Sequence, residues 1–394
     1  MAGLSRTLSL RALMLGAVLA LGALGASGFA WHAAEDSRAL LRAMRARDAN
    51  LAANRLAEGL SQMLLERLAT GAALQAPAPA GRDTLDEIAR RRAAMRAAVG
   101  PGLAALAEQD FPGRQERLDA LHRALAELDA LRAEADAALR QPLAARDAAL
   151  RRDFIPRLTA HLNTALEAWL AAVHGVAAGD PVLARLAVMQ EIGWRIRDTA
   201  GQERSAIASA MSAGERVAPE RQALNASIRA RVDLLWAQLG QLAPRADPTL
   251  SPMLRAALAA AEREYFGGFR AIADQMTRGG PPYPMDVARF AAVTTPQLDT
   301  LLEILKAAGA AGEERAAALV AQARWATILA IGFLLACLAI VGAAVLLVVR
   351  RMSRPLTALA AATSRLAEGD LDAEPPGTAR GDEVGSVARA LVAL

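Results

Sequence analysis

The chain has 394 residues, enough for two or three domains, and a formal net charge of only +4 at pH 7. Hydrophobic residues make up 54% of it and aromatic residues 4%, a balance that favours long helices packed through small side chains. Lys306 is the only lysine, and arginines alternate with acidic residues without forming a basic stripe, which argues against nucleic-acid binding. Because no sustained alternating run of β-branched and aromatic residues occurs, we expect an all-α fold.

The residue types that usually carry catalysis or bind metals are sparse and scattered. Cys337 is the only cysteine, so an intrachain disulfide and a cysteine-based metal site are excluded. The four histidines show no ligand spacing; they are His32, His122, His161 and His174. No glycine-rich phosphate loop, nucleophile elbow or Cys/His pair is present. We therefore expect no metal, no cofactor and no enzymatic activity from this chain.

Two uncharged segments are long enough to cross a bilayer as helices, Ala12–Ala34 and Trp325–Val349. Arginines lie before the first segment and after the second, at Arg6, Arg11, Arg350, Arg351 and Arg354. The positive-inside rule then places both termini in the cytoplasm and residues 35–324 outside. A cleavable secretory signal is the alternative for the first segment, because Ala26-Ser27-Gly28 offers small residues; the length of the segment favours a retained anchor.

The expected organisation is therefore a cytoplasmic N-terminus (1–11), a first span (12–34), an external helical domain (35–324), a second span (325–349) and a C-terminal module (350–394). Helix starts in the external domain are predicted at Thr84-Leu85-Asp86-Glu87, Gly179-Asp180-Pro181, Ser251-Pro252 and Thr295-Pro296. Leucine stripes at helical spacing are expected core: Leu118, Leu121, Leu125, Leu128 and Leu131, and Leu298, Leu301, Leu302 and Leu305. About seven external helices exceed one four-helix bundle, so two bundles stacked end to end and divided near Gly179 are predicted.

Three arginines of the external domain are candidates for binding an anion. Arg197 and Arg204 lie two turns apart on one helix face, and Arg67 could face them across a bundle. A guanidinium offers a rigid fork of donors that matches a planar oxyanion. The alternative is that each arginine pairs with a nearby carboxylate or with water. Three tryptophans, Trp169, Trp194 and Trp236, are expected to be packing residues.

The segment after the second span resembles a HAMP domain, the module that joins a membrane-spanning sensor to a cytoplasmic output. The resemblance rests on Ser353-Arg354-Pro355-Leu356, on Leu366-Ala367-Glu368-Gly369-Asp370-Leu371, and on Asp382-Glu383-Val384-Gly385. It implies signalling roles for Pro355, Leu359, Leu366, Gly369, Leu371, Glu383 and Gly385, with the second helix truncated by the end of the sequence.

Two apolar seams in this module suggest that it pairs with a second copy. They are Leu356, Leu359, Thr363 and Leu366, then Val384, Val387, Leu391 and Leu394. One chain has too little surface to bury both seams, so a homodimer is expected. Pro355 is expected to uncouple the register of the span from the bundle below it. Pro375 stands where the family usually carries a second aliphatic anchor.

A second resemblance concerns the external domain. Glu66-Arg67-Leu68-Ala69-Thr70-Gly71, followed by Arg90-Arg91-Arg92, is similar to the opening of nitrate/nitrite-sensing (NIT-type) helical domains, with Leu68 where that family has glycine. The resemblance implies a small external ligand of the nitrate type, bound by arginine. The order span, helical sensor, span and HAMP is similar to methyl-accepting chemotaxis proteins.

These features are compatible with three functions. The chain is the sensor half of a chemoreceptor-like transducer with a cytoplasmic signalling partner, or the input half of a histidine kinase or cyclic-dinucleotide enzyme. The third alternative is a stand-alone HAMP regulator that acts on another transducer.

Overall fold

The structure is a computed structural model that describes residues 10–393 apart from residues 110, 178, 245, 246, 369 and 371–373. Over the residues it describes, the chain forms helices and connections without a β-strand, so the predicted all-α class is confirmed. The eleven α-helices of the described chain are α1 (Leu10–Gln75), α2 (Arg82–Ala107), α3 (Arg114–Leu139), α4 (Ala148–Ala177), α5 (Pro181–Ala213), α6 (Pro219–Leu242), α7 (Pro252–Ala261), α8 (Arg270–Arg278), α9 (Val287–Leu347), α10 (Arg354–Ala367) and α11 (Glu383–Val392). Two π-helical segments, Glu262–Phe269 and Val348–Ser353, and a 3₁₀ turn at Leu143–Ala145 complete them.

The chain divides into two compact units. One comprises residues 42–320, and the other combines residues 1–41 with residues 321–394. Helices α1 and α9 contribute residues to both units.

The larger unit begins with a four-helix bundle formed by α1 to α4. Its core consists of leucines, alanines and a few aromatic side chains, and it includes Phe154 and Trp169, both fully buried. The predicted stripe on α3 faces this core: Leu118, Leu121, Leu128 and Leu131 are buried, and Leu125 packs partly against them. Trp169 lies 6.4 Å from Trp194, centroid to centroid, which confirms both as packing residues.

A second bundle follows, formed by α5, α6, α9 and a rod that combines α7, the π-helical segment and α8. Its core contains Tyr265, Phe269 and Phe290, all fully buried. Trp236 packs here against Phe266, with ring centroids 4.9 Å apart. Over the described residues, the part of the chain that was predicted to be external contains or shares nine helices, α1 to α9, where about seven are expected; α7 and α8 are separate helices.

The two bundles lie side by side, and the predicted end-to-end stacking is wrong. On α5, Leu183 and Ala187 belong to the first core while Leu186 and Met189 belong to the second. On α9 the same division separates Leu302 and Leu305 from Leu301 and Ile304. A helix with two apolar faces at one height must stand between two cores, so α5 and α9 are shared walls.

Two of the four predicted helix starts are confirmed. Asp180 caps α5, accepting hydrogen bonds from the backbone N–H of Val182 (2.9 Å) and Leu183 (3.0 Å), and Pro181 follows in the first turn. Ser251 caps α7 in the same manner, with Pro252 in its first turn.

The other two predicted helix starts are wrong. Helix α2 begins at Arg82 with Gly81 in the cap position, and Glu87 pairs with Arg90 and Arg91 instead of closing a capping box. Pro296 lies inside α9, where burial of apolar side chains on both sides of it outweighs the hydrogen bond that proline cannot donate.

The smaller unit contains the two helix segments that are apolar enough to cross a membrane. They lie within residues 12–75 and 287–367, and their most apolar windows are not buried inside the protein. Phe29 of α1 stacks on Phe333 of α9 with ring centroids 5.9 Å apart. Gly22 faces Val341 so closely that a side chain at position 22 would collide with it.

Candidate ligand site and HAMP segment

The structure brings Arg67, Arg197 and Arg204 together where α1, α5 and α9 meet. All three are buried, with 4%, 2% and 2% of their surfaces exposed. Gly201 lies beside two of them: a Cβ at this position would be 3.0 Å from Nη1 of Arg197 and 3.9 Å from Nη2 of Arg67. The glycine therefore leaves the space that two guanidinium groups approach, and we call Arg67, Arg197 and Arg204 the arginine cluster.

Two arginines of the cluster are neutralised by carboxylates. Nη2 of Arg67 lies 2.7 Å from Oδ1 of Asp198, and Nη2 of Arg197 lies 3.0 Å from Oδ1 of Asp299. For these two, the alternative of pairing with nearby acids is right.

Arg204 is different, because no carboxylate of the described residues is in ion-pair contact with it. Its Nη1 donates to Oγ1 of Thr295 at 2.9 Å, and its buried Nε has no hydrogen-bond partner. Burial and the neighbouring charge of Arg197 lower the pKa of Arg204 to about 9. Burial likewise lowers the pKa of Arg197. The cluster is thus a desolvated site with three cations, two carboxylates and at least one donor to spare.

Arg67 and Arg204 occupy equivalent positions in the two bundles. Each follows a fully buried glutamate, Glu66 or Glu203. Nη1 of Arg67 donates to Oγ1 of Thr159 on α4 at 2.9 Å, as Nη1 of Arg204 does to Thr295 on α9 at the same distance. The second bundle therefore repeats the Glu-Arg pair and its threonine contact on the first and last helices of a four-helix unit.

The glutamates of the two pairs are held by arginines from neighbouring helices. Arg132 contacts Glu66 through Nε (2.9 Å) and Nη2 (2.5 Å), and Arg92 contacts it through Nε (2.7 Å). In the second bundle Arg229 holds Glu203 at 2.6 Å, while Oε2 of Glu203 has no partner. Burial raises the pKa of Glu203.

In the smaller unit, α10 and α11 form a hairpin whose contact consists of small and aliphatic side chains. Leu359 and Ala362 of α10 are buried, as are Gly385 and Ala388 of α11. A Cβ on Gly385 would collide with the carbonyl oxygen of Arg380, so only glycine allows this approach.

The chain leaves the second span through the π-helical segment Val348–Ser353 and enters α10 at Arg354, just before Pro355. Nη2 of Arg380 donates to the carbonyl oxygen of Arg351 at 3.0 Å. That oxygen is the one an α-helix would pair with the N–H of residue 355, which proline lacks. The side chain that approaches the proline-bearing start of α10 is therefore Arg380.

The start of α11 is capped by Asp382, which accepts the N–H of Gly385 at 3.1 Å. The hydrogen bonds from Arg380 and from that N–H lower the pKa of Asp382 to about 2. Glu383 is the first residue of α11, where the helix dipole favours an acid.

The remaining residues with predicted HAMP roles divide into two groups. Pro355 and Leu366 are half-buried. Gly369 and Leu371 lie outside the described residues, as does Leu394 of the second seam. Along the predicted seams, Leu356 and Val387 are 38% and 52% exposed, so a single chain leaves part of each seam open to solvent.

Comparison with known families agrees with this geometry. Residues 347–394 match the family described as HAMP domain. The C-terminal segment is a HAMP domain. No curated protein and no solved structure matches the chain. Together with two helices able to cross a membrane, the HAMP domain indicates a membrane protein of transmembrane signal transduction.

Several site residues were not predicted from the sequence, among them Thr159, Thr295, Asp198, Asp299 and Arg380. The dipeptide Glu-Arg at 66–67 and 203–204 also occurs at 116–117, 215–216, 220–221, 262–263 and 314–315, so the sequence alone does not single out these two copies. The threonines lie far from their arginines in sequence and could not be paired without the fold.

Proposed function

We propose that this chain is the sensor half of a chemoreceptor-like transducer that binds a small external oxyanion at the arginine cluster and passes the signal through its HAMP domain. The observation that carries the proposal is Arg204, a buried guanidinium without a carboxylate partner among the described residues. An unpaired buried charge is costly, and a bound anion would offset that cost.

The geometry favours a small monovalent anion such as nitrate. Three guanidiniums face two carboxylates, so the ligand-free cluster carries one net positive charge. Nη1 of Arg197 and Nη2 of Arg67 both approach Gly201, and planar oxygen-bearing anions suit such forked donors.

The route of the signal follows from the helices that carry the cluster. Arg67 belongs to α1, which also contains the first span, and Arg204 contacts Thr295 of α9, which contains the second. An anion that changes these contacts biases the packing of both helices. Coupling between such sites amounts to about 1–3 kcal/mol, enough to change an output several-fold.

In the full proposal, the protein lies in a bacterial inner membrane with both termini in the cytoplasm and residues 35–324 outside. It acts as a homodimer, since Leu356 and Val387 are exposed on the HAMP seams. It carries no catalytic site or cofactor of its own, and its output is a separate cytoplasmic signalling partner or a following domain.

The test is anion binding by the full chain in lipid nanodiscs, measured by isothermal titration calorimetry with sodium nitrate, nitrite and sulfate at constant ionic strength. We expect nitrate to bind the natural chain and Arg204→Gln to weaken binding at least about 10-fold, because a charged hydrogen bond contributes about 1.5–3 kcal/mol.

The matched control is Arg152→Gln, which removes an arginine whose side chain is 74% exposed. It should bind nitrate as the natural chain does. If no oxyanion binds the natural chain, or if both variants bind equally well, the arginine cluster is not the ligand site.

A further inference from the structure

We propose that Asp198 is a built-in competitor for the ligand: its carboxylate occupies Arg67, and an arriving oxyanion displaces it, so that binding opens the ion pair between α1 and α5. This inference rests on the proposed anion site and adds the means by which that site is regulated.

The repeat between the two bundles shows that Arg67 does not need Asp198 to hold its position. Among the described residues, Thr295 is the side chain that Arg204, the equivalent arginine, donates to, with the same 2.9 Å contact that Arg67 makes to Thr159. Asp198 is therefore an addition to one of two otherwise matching arginines.

The first bundle has no carboxylate at the position equivalent to Asp198. Asp198 lies six residues before Arg204, and the residue six positions before Arg67 is Ser61. The hydroxyl of Ser61 donates to the carbonyl oxygen of Glu58 within its own helix. The pairing with Arg67 is thus specific to α5.

Asp198 also has a place to go when it is displaced. Its side chain is 18% exposed, and its Oδ2 accepts a hydrogen bond from Nε2 of Gln202 at 3.3 Å. The carboxylate can keep this contact and gain water while Arg67 turns to the ligand. Release of Asp198 frees Nη2 of Arg67, the atom that lies near Gly201, for the anion.

The exchange converts ligand binding into a change of helix contacts. In the structure Arg67 of α1 is tied to α5 by Asp198 and to α4 by Thr159. Once an anion takes the place of Asp198, the direct ion pair between α1 and α5 is gone, and α1 also carries the first span.

The test compares nitrate affinity of the full chain in nanodiscs for the natural protein, Asp198→Asn and Asp198→Ser, the second of which copies the first bundle. Removal of the competing charge should tighten nitrate binding about 10-fold, the effect of one pKa unit of electrostatic interaction. Glu134→Gln is the charge-matched control, because its ion pair with Arg157 is exposed, and it should leave affinity unchanged.

A purely structural role for Asp198 makes the opposite prediction, namely weaker binding with a lower unfolding temperature. If nitrate binds the natural chain and both variants bind equally or more weakly, the competitor role is overturned while the anion site stands. If nitrate binds none of the three, both the site and the competitor are overturned. Two variants are used because either one alone could fail to fold.

Discussion

Arg380 donates a hydrogen bond to the carbonyl oxygen of Arg351, 3.0 Å away, and so links the residues just before α11 to the π-helical segment Val348–Ser353. The oxygen lies four residues before Pro355, where an α-helix would use the N–H that proline lacks. A side chain from just before α11 thus gives that oxygen a donor that proline cannot provide.

This substitution of one donor for another predicts that Arg380 and Pro355 are energetically coupled. Arg380→Gln should loosen the hairpin by about 1 kcal/mol, the usual contribution of one hydrogen bond. In a Pro355→Ala background the restored N–H competes for the same oxygen, so the loss should be smaller. Hydrogen–deuterium exchange of residues 351–356 and 377–385 measures both. Equal losses in the two backgrounds would show that the contact does not stand in for the missing bond.

The arginine cluster predicts an unusual stabilisation by an apolar residue. Arg204→Met removes a buried charge that no described carboxylate pairs with, so thermal unfolding in nitrate-free buffer should be unchanged or stabilised by about 1–4 kcal/mol. Nitrate should then no longer raise the unfolding temperature. The control is Arg67→Met, which leaves Asp198 without its partner and should destabilise the protein. Loss of stability of equal size in both variants would contradict the account of Arg204.

The sequence allowed much of the architecture to be predicted, but only the parts that local patterns determine. The leucine stripe of α3 and the cap at Asp180 depend on neighbours within two turns, and both are confirmed. The lateral packing of the bundles depends on which faces of α5 and α9 meet, which no local pattern records. Local reasoning also failed at Pro296, where packing of α9 in the second core overrides the breaking effect of proline.

The candidate site shows the same division. The helical spacing of Arg197 and Arg204 placed them on one face, and the structure brings Arg67 to them. The carboxylates of Asp198 and Asp299 could not be assigned to particular arginines, because the chain offers many acids at comparable spacing. That assignment separates Arg204 from the other two, and it required the fold.

A pH dependence follows from the lowered pKa of Arg204, which is about 9. The charged groups around it are Arg197 on its own helix, Arg67 on α1 and Asp299 on α9. An anion binds the protonated form, so affinity should be full below about pH 9 and fall as pH rises through that value, by up to about 10-fold per unit. Calorimetric nitrate titrations between about pH 8 and pH 10 measure this, with circular dichroism to verify that the fold persists. A constant affinity over that range would mean that Arg204 stays charged or does not contact the ligand.

The glutamate of the first bundle predicts a large loss of stability. Glu66→Gln leaves Arg92 and Arg132 partly uncompensated in the core, and breaking a buried ion pair costs about 3–5 kcal/mol. Glu134→Gln, at an exposed pair, should cost less than about 1 kcal/mol. Urea unfolding followed by circular dichroism gives both values. If Glu66→Gln lowers the free energy of unfolding as little as Glu134→Gln does, Glu66 does not stabilise the fold by pairing with Arg92 and Arg132.

We expect an oxyanion at the arginine cluster to change the packing of the HAMP domain. The most direct test is disulfide crosslinking of Leu356→Cys between two copies of the full chain in nanodiscs, with the native Cys337 replaced by Ala. The account predicts that nitrate changes the crosslinking rate in this background and has no effect when Arg204→Gln is added. Identical rates with and without nitrate, in a chain that calorimetry shows to bind it, would contradict the account.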